Sequence, residues 1–409
     1  MMATHPSTVK GLFGSSQNIG LTAATLLSYI VPPLVCLYFM GVLVQFEGTR
    51  FYRFALLPVL VWFAWRGILV DTSGGDSKLG QMNTVLITHV CSMSIRGAAW
   101  AIAREPFRRQ NPSNKPDKSG SENVYTALWN ACDLMSNVRG IGWNWPRGLI
   151  LPKPTFETES RTAFVLLSAA PVTMYALGFD ACLQIICMLG PDTFGSPVGG
   201  SLFDHSLPPM LELLRSVFAS FLAIWMLYFV IQWTYHVLAV TSIVLFQHQP
   251  SQWPPLFDSP WLSTSLAEFW GRRWHQIMRE ILVTLAMQPF SYLFGPLGGV
   301  FGAFLYSGIS HDMELRSFGR NEHSVVVIGF WVMNGVGVVL ERVWTNTTGR
   351  RVGGVWGWVW TFGWLALWGV WVVDALAMSG VFGALSGLLG EFSPSVVFVG
   401  FVRRCLVGS

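Results

Sequence analysis

The sequence predicts an all-α integral membrane protein, a polytopic bundle of about 8–9 transmembrane helices. Three observations carry this. Only 12% of the 409 residues are charged and 52% are hydrophobic, against roughly 25% charged in soluble domains. So few charges leave a water-facing surface uncovered, and lipid must be the solvent for much of the chain. The charges also gather between long charge-free runs, and about 20 apolar residues suffice to cross hydrocarbon. Finally, 20 Trp and 29 Phe suit membrane interfaces and helix packing.

The elements follow in order. Residues 11–46 contain no Asp, Glu, Lys or Arg, a run much longer than the roughly 7–15 residues of a secretory signal core. It predicts an uncleaved first membrane helix at about 20–45, behind a short leader. Further spans are expected at about 52–70 and 80–102, interrupted by Arg66 and Arg96. Others follow at about 162–190, 215–247, 277–311, 324–343 and 355–378, with an apolar tail at 381–402. The run 216–247 has no acidic or basic residue except His236. As one helix it reaches roughly 48 Å, so it must tilt or extend past the hydrocarbon. The run 281–311 is charge-free but interrupted by Pro289, Gly295-Pro296 and Gly298-Gly299. A straight helix does not accommodate that pattern. Broken helices persist in membranes only where they are buried or line a cavity.

These spans divide the chain into N-terminal helices (1–102), a polar segment (103–161) and a helical remainder (162–402). The polar segment holds Arg104, Arg108, Arg109, Lys115, Lys118, Arg139, Arg147, Lys153 and Arg161, whereas 191–212 has acidic residues and no Lys or Arg. This asymmetry puts 103–161 and 248–276 in the cytosol and 191–212 on the lumenal side. The sequon Asn346-Thr347-Thr348 is an acceptor only if lumenal, and its side stays open. The six cysteines, Cys36, Cys91, Cys132, Cys182, Cys187 and Cys405, show no metal-ligand spacing and read as apolar packing residues. Cys405 follows Arg403-Arg404, a weak palmitoylation signal.

Ionisable residues within spans are functional candidates by default. They are His89, Asp180, His236, His311 and Asp374; each also fits a hydrogen bond to a neighbouring helix. His311 stands apart. It ends the broken run behind Ser307, Gly308 and Ser310, and Asp312 and Glu314 follow. An imidazole there suits proton transfer at neutral pH. A second constellation spans 253–280, where Trp270, Arg272, Arg273, Trp274 and His275 cluster. Ser265 and Glu268 fit a capping box, which predicts a helix starting near Ser263 or Ser265. Two readings fit: an interfacial helix meeting lipid headgroups, or an entrance for an anionic cofactor lined by guanidinium groups.

The blocks EFWGRRWH (268–275) and FLYSGISH (304–311), with RGIGWNWP (139–146) and WPPLFDSPW (253–261), together resemble the wax synthase branch of the membrane-bound O-acyltransferases. The resemblance covers about 130–315; earlier spans share only hydropathy. His275 stands where plant members usually carry Asn, a departure that is similar to fungal members acting on terpenoid or polyketide-derived alcohols. The resemblance implies an acyltransferase core within 162–402, an intramembrane reaction chamber and multi-pass residence in the endoplasmic reticulum. It also implies an acyl-CoA donor, acetyl-CoA by preference, and a hydrophobic terpenoid-like alcohol acceptor. His311 matches the family's essential histidine and His275 its second polar position. Arg272 and Arg273 are then expected to meet CoA phosphates, with Trp270 and Trp274 framing the pantetheine path. No bound cofactor, metal or acyl-enzyme cysteine is expected.

Competing classes are a fatty-acyl transferase making wax or sterol esters, a transporter, and an intramembrane prenyltransferase or terpene cyclase. Transporters usually show two related halves, and the 281–311 pattern has no counterpart in the first half. Diphosphate chemistry uses clustered acids to hold Mg²⁺, and no DDxxD-like motif occurs.

Overall fold

The computed structural model describes residues 19–72, 81–110, 123–146, 149–154, 158–316, 323–398 and 400. Lys115, Lys118, Arg147, Cys405 and the leader before residue 19 lie outside the described residues. The chain is mostly helical: α1 (Ala23–Leu43), α2 (Arg50–Gly67), α3 (Gln81–Ile102), α4 (Val124–Ser136), α5 (Arg161–Leu189), α6 (Pro209–Leu245), α7 (Gln288–Arg316), α8 (Ser324–Thr348), α9 (Gly354–Met378) and α10 (Val381–Leu389). Among the described residues, six segments are long and apolar enough to cross a membrane: α1, α5, α6, Arg279–Met313, α8 and α9. Eight or nine were expected. The expected spans 52–70 and 80–102 form α2 and α3 but fall short. α2 carries Arg50, Arg53 and Arg66, and α3 mixes Arg96 and His89 with one Asn, two Thr and two Ser. The tail 381–402 begins as a nine-residue helix that stops at Gly390, whose φ is +48°.

The chain forms two compact units. The first contains the described parts of Met1–Leu149 and Gln276–Asn321. Here α1 packs on α2, α3 and α4. Leu37, Met40, Leu60, Trp100, Leu134 and Trp143 form the core. Two-residue strands, Ile19–Gly20 and Val70–Asp71, pair in parallel. The arginines that interrupt the apolar pattern have a structural use. Arg53 is buried and donates to the carbonyls of Trp100 and, at 3.0 Å, Ala103. Arg96 donates to the carbonyls of Leu134, at 3.0 Å, and Met135. Each guanidinium therefore meets carbonyls at the C-terminal end of a neighbouring helix. Those carbonyls lack intrahelical partners and carry the negative end of the helix dipole.

RGIGWNWP also belongs to this unit. Gly140 and Gly142 adopt φ of +66° and +80°, a conformation glycine reaches without steric cost. The resulting turn buries Trp143, whose Nε1 donates to Asp133 at 2.7 Å. Asp133 also pairs with Arg109 at 3.0 Å.

The run 281–311 is broken as its composition predicts. A π-turn covers Leu282–Met287, and Gly295 (φ 72°, ψ −177°) splits α7. The two halves fold back on each other. A Cβ on Gly299 would sit 2.9 Å from the Met287 carbonyl oxygen, and one on Gly302 would sit 2.5 Å from the Phe290 ring. In a straight helix, residues twelve apart are separated by about 18 Å.

The second unit contains the described parts of Ile150–His275 and Glu322–Ser409. α5 runs along α6, and α6 and α8 pack on α9. α6 is a single 37-residue helix, roughly 55 Å long at 1.5 Å per residue. The sequon lies in the last turn of α8, where Thr347 and Thr348 donate back to helix carbonyls.

Candidate active site

The expected site residues divide between the units: Trp270, Arg272, Arg273, Trp274 and His275 fall in the second and His311 in the first. In the second unit, WPPLFDSPW is an anchored irregular segment that ends in a 3-10 turn at Pro260–Leu262. Tyr235 Oη donates to the Pro254 carbonyl at 2.6 Å, and Trp358 Nε1 to that of Trp261 at 2.9 Å. The helix expected from Ser265 does start there, since the Ser265 hydroxyl accepts from Glu268 N at 3.0 Å. The Glu268 carboxylate, however, reaches Thr264 N at 2.9 Å. Only Leu266–Glu268 is α-helical; Phe269–Arg273 widens into a π-turn closed by Trp274 N on the Phe269 carbonyl at 2.8 Å.

Side-chain anchors hold this turn. Arg273 Nε donates to Glu268 at 2.7 Å and its Nη1 to the Asp258 carbonyl at 2.9 Å, while Asp258 N donates to the Arg273 carbonyl. Burial alone would raise the Glu268 carboxyl, but the bonds from Thr264 and the Arg273 guanidinium outweigh it and hold it below the ordinary value. Trp270 Nε1 donates to Asn334 at 3.0 Å, with its ring centroid 4.9 Å from that of Trp331. Trp274 is buried between Phe257 (4.9 Å) and Phe269 (5.4 Å, stacked). His275 is half-buried against the same Phe257. Arg272 differs: its side chain is 52% exposed and pairs with Asp258 at 3.0 Å.

Three residues that position this turn were missed in the sequence. Asn334, Gly337 and Glu341 occupy successive turns of one face of α8. A Cβ on Gly337 would sit 2.4 Å from Leu266. Glu341 is buried, and its carboxylate accepts from Leu266 N (2.6 Å), Ala267 N (3.0 Å) and Trp360 Nε1 (2.9 Å). It thus caps a helix start from another element, where backbone N–H groups lack partners. The available signal was polar and small residues at spacings of three and four in an apolar helix. On α9, Gly357 makes a similar close approach: an added Cβ would lie 2.2 Å from the Thr264 carbonyl oxygen. Gly357→Ala is therefore expected to destabilise the protein by about 1–3 kcal/mol. Thermal unfolding of detergent-purified protein measures it.

In the first unit, His311 is exposed on α7, and its Nδ1 lies 2.8 Å from the Ser307 carbonyl. A carbonyl only accepts, so Nδ1 carries the hydrogen in that bond. The neutral ring then has its lone pair on Nε2. The next residue, Asp312, is buried. Two other intramembrane candidates, both aspartates, act as clamps. Asp180 accepts from Ser393 Oγ (2.5 Å) and Ser395 N (2.7 Å), and Asp374 accepts from Ser201 Oγ (2.8 Å) and Leu202 N (2.7 Å). His236 Nδ1 bonds the Gln232 carbonyl at 2.8 Å. Among the described residues, no three His, Cys, Asp or Glu side chains group as a metal site.

Residues 253–333 match the membrane bound O-acyl transferase family. The matched stretch includes both His275 and His311, together with the whole Phe269–Arg273 π-turn. Over 122 residues the chain is 31% identical to acyl-CoA–sterol O-acyltransferase 1 of Arabidopsis thaliana, covering 28% of this chain and 35% of that one. Over 97 residues it is 34% identical to a long-chain-alcohol O-fatty-acyltransferase of Simmondsia chinensis, covering 22% and 28%. With acetyltransferase atnC of Arthrinium sp it shares 24% identity over 347 residues, covering 77% and 78%. The similarity thus spans about a third of the two plant proteins and over three quarters of the fungal one.

Proposed function

We propose that the chain is an acyl-CoA-dependent O-acyltransferase of the endoplasmic reticulum membrane, moving an acetyl group to a hydroxyl of a hydrophobic, terpenoid-like alcohol. The observation that carries this is the O-acyl transferase match over 253–333, which holds both candidate histidines. The long alignment with a fungal acetyltransferase supports a short acyl donor. The names of the plant relatives support the second reading, long-chain transfer to fatty alcohols or sterols.

In this mechanism, His311 Nε2 takes the acceptor hydroxyl proton as the oxygen attacks the thioester carbonyl. Collapse of the tetrahedral intermediate expels the CoA thiolate, which recovers the proton from the imidazolium. His275 orients the acceptor or stabilises the developing oxyanion. The reaction takes place in a chamber within the bilayer. Trp270 and Trp274 frame the pantetheine path. Of the two arginines proposed for CoA phosphate, exposed Arg272 is the better placed, because Arg273 also braces the turn.

The test is a donor series from acetyl- to palmitoyl-CoA on isolated membranes, offered terpenoid, sterol and fatty alcohols. Ester from acetyl-CoA is expected. Ester only from long donors moves the assignment to the second reading, and no ester from any donor overturns both. Arg272→Ala is expected to raise the donor KM about 3–10-fold with little change in kcat, the loss of one charge-assisted bond. An unchanged donor KM counts against its phosphate role.

A further inference from the structure

The first unit holds a cavity of about 610 Å³ whose lining includes neither His275 nor His311. Two buried donors on its wall have no acceptor among the described residues. Arg96 is 9% exposed; its Nη1 meets the α4 carbonyls, but Nη2 has no hydrogen-bond acceptor among the described residues. Trp145 Nε1, also lining the cavity, is likewise buried without an acceptor. Unmet buried donors are rare because each forfeits its bonds to water. Two of them facing one cavity point to an acceptor that enters it. Arg50 and Arg104 are exposed and line the same cavity, with the carboxylates of Glu105 and Glu280. The Glu280 carboxylate accepts from the Thr284 hydroxyl at 2.9 Å. Three guanidinium groups against two carboxylates favour an anion. Arginine's planar fork suits phosphate oxygens. An aromatic wall completes the site: Trp145 stacks on Phe107 with centroids 5.4 Å apart, beside Trp100.

We propose that this cavity binds a phosphate-bearing ligand, with Arg96 Nη2 and Trp145 Nε1 donating to its oxygens and Arg50 and Arg104 meeting its charge. Two sources share this chemistry. One is the nucleotide end of the acyl-CoA donor, which rests on the function proposed above; the other is a phospholipid headgroup, which does not.

Equilibrium binding to the purified full chain tests this without turnover. The probes are adenosine 3′,5′-bisphosphate and phosphatidylcholine vesicles with or without phosphatidic acid. Trp145→Phe keeps the ring and removes the donor, and is expected to weaken phosphate binding about 5–10-fold. Arg104→Gln is expected to weaken it comparably and to flatten its salt dependence. Binding of the bisphosphate identifies the nucleotide source, and binding of phosphatidic acid alone identifies the lipid. Should Trp145→Phe lower the unfolding temperature, Arg50→Gln with Arg104→Gln carries the test from the exposed side. Failure of both probes to bind overturns the proposal. So does binding that folded variants leave unchanged, even in an active acyltransferase. A chain that makes no ester but shows the variant-sensitive binding keeps it.

Discussion

Replacing His311 with alanine is expected to lower acyl transfer by roughly 10²–10⁴-fold, the usual contribution of a positioned general base. The measurement is ester formation from acyl-CoA in membranes containing matched amounts of protein. The imidazole is exposed on α7. Its removal is therefore a small perturbation of stability, within about 0.5 kcal/mol for a surface position. A large loss of rate with unchanged thermal unfolding is the expected pair of results. Ester formation near the original rate would remove His311 from the mechanism. Ser307 offers a finer check on tautomer: its carbonyl holds hydrogen on Nδ1, so a proton must be taken through Nε2. His311→Gln, which keeps a polar side chain without a titrating ring, is expected to be as inactive as His311→Ala.

Glu341→Leu is expected to cost about 3–5 kcal/mol, because it strands three N–H donors at about 1–3 kcal/mol for each that is buried. Three N–H groups, those of Leu266, Ala267 and the Trp360 indole, lose their acceptor at once. The effect is expected first in the 264–274 turn, where Trp270 and Trp274 report it by fluorescence, and then in a lower unfolding temperature. Glu341→Gln retains one acceptor oxygen and is expected to recover part of the loss. An unfolding temperature for Glu341→Leu equal to that of the parent would show that the clamp contributes nothing.

The charge-free runs made α1, α5, α6, α8 and α9 legible, because about 20 residues without charge are long enough to cross hydrocarbon and too apolar to face water. The break in 281–311 was legible too, since Pro and Gly act locally. Arg53 and Arg96 were harder. In the chain Arg96 reads as an interruption of an apolar run, and its use depends on carbonyls of α4, nearly forty residues away in sequence. The turn at 268–275 was legible in composition and not in shape. Its closure depends on Asp258, Asn334 and Glu341, and the last of these lies 75 residues from Leu266. Periodicity cannot report a partner at that distance. Glu341 itself sat in plain view inside a span, yet it lay near the span's end, where a charge reads as a boundary.

The anchoring of that turn bears on transplantation. The matched stretch ends at residue 333, and two of the side chains that grip the turn, Asn334 and Glu341, lie just beyond it. Moving only 253–333 into a relative would carry the reactive groups while leaving the α8 and α9 part of their holder to the host. A chimera cut after Glu341, with the Trp360 and Gly357 side of α9 retained, keeps grip and turn together. Exchange of acceptor preference between relatives is therefore expected to follow the longer cassette and to fail with the shorter one.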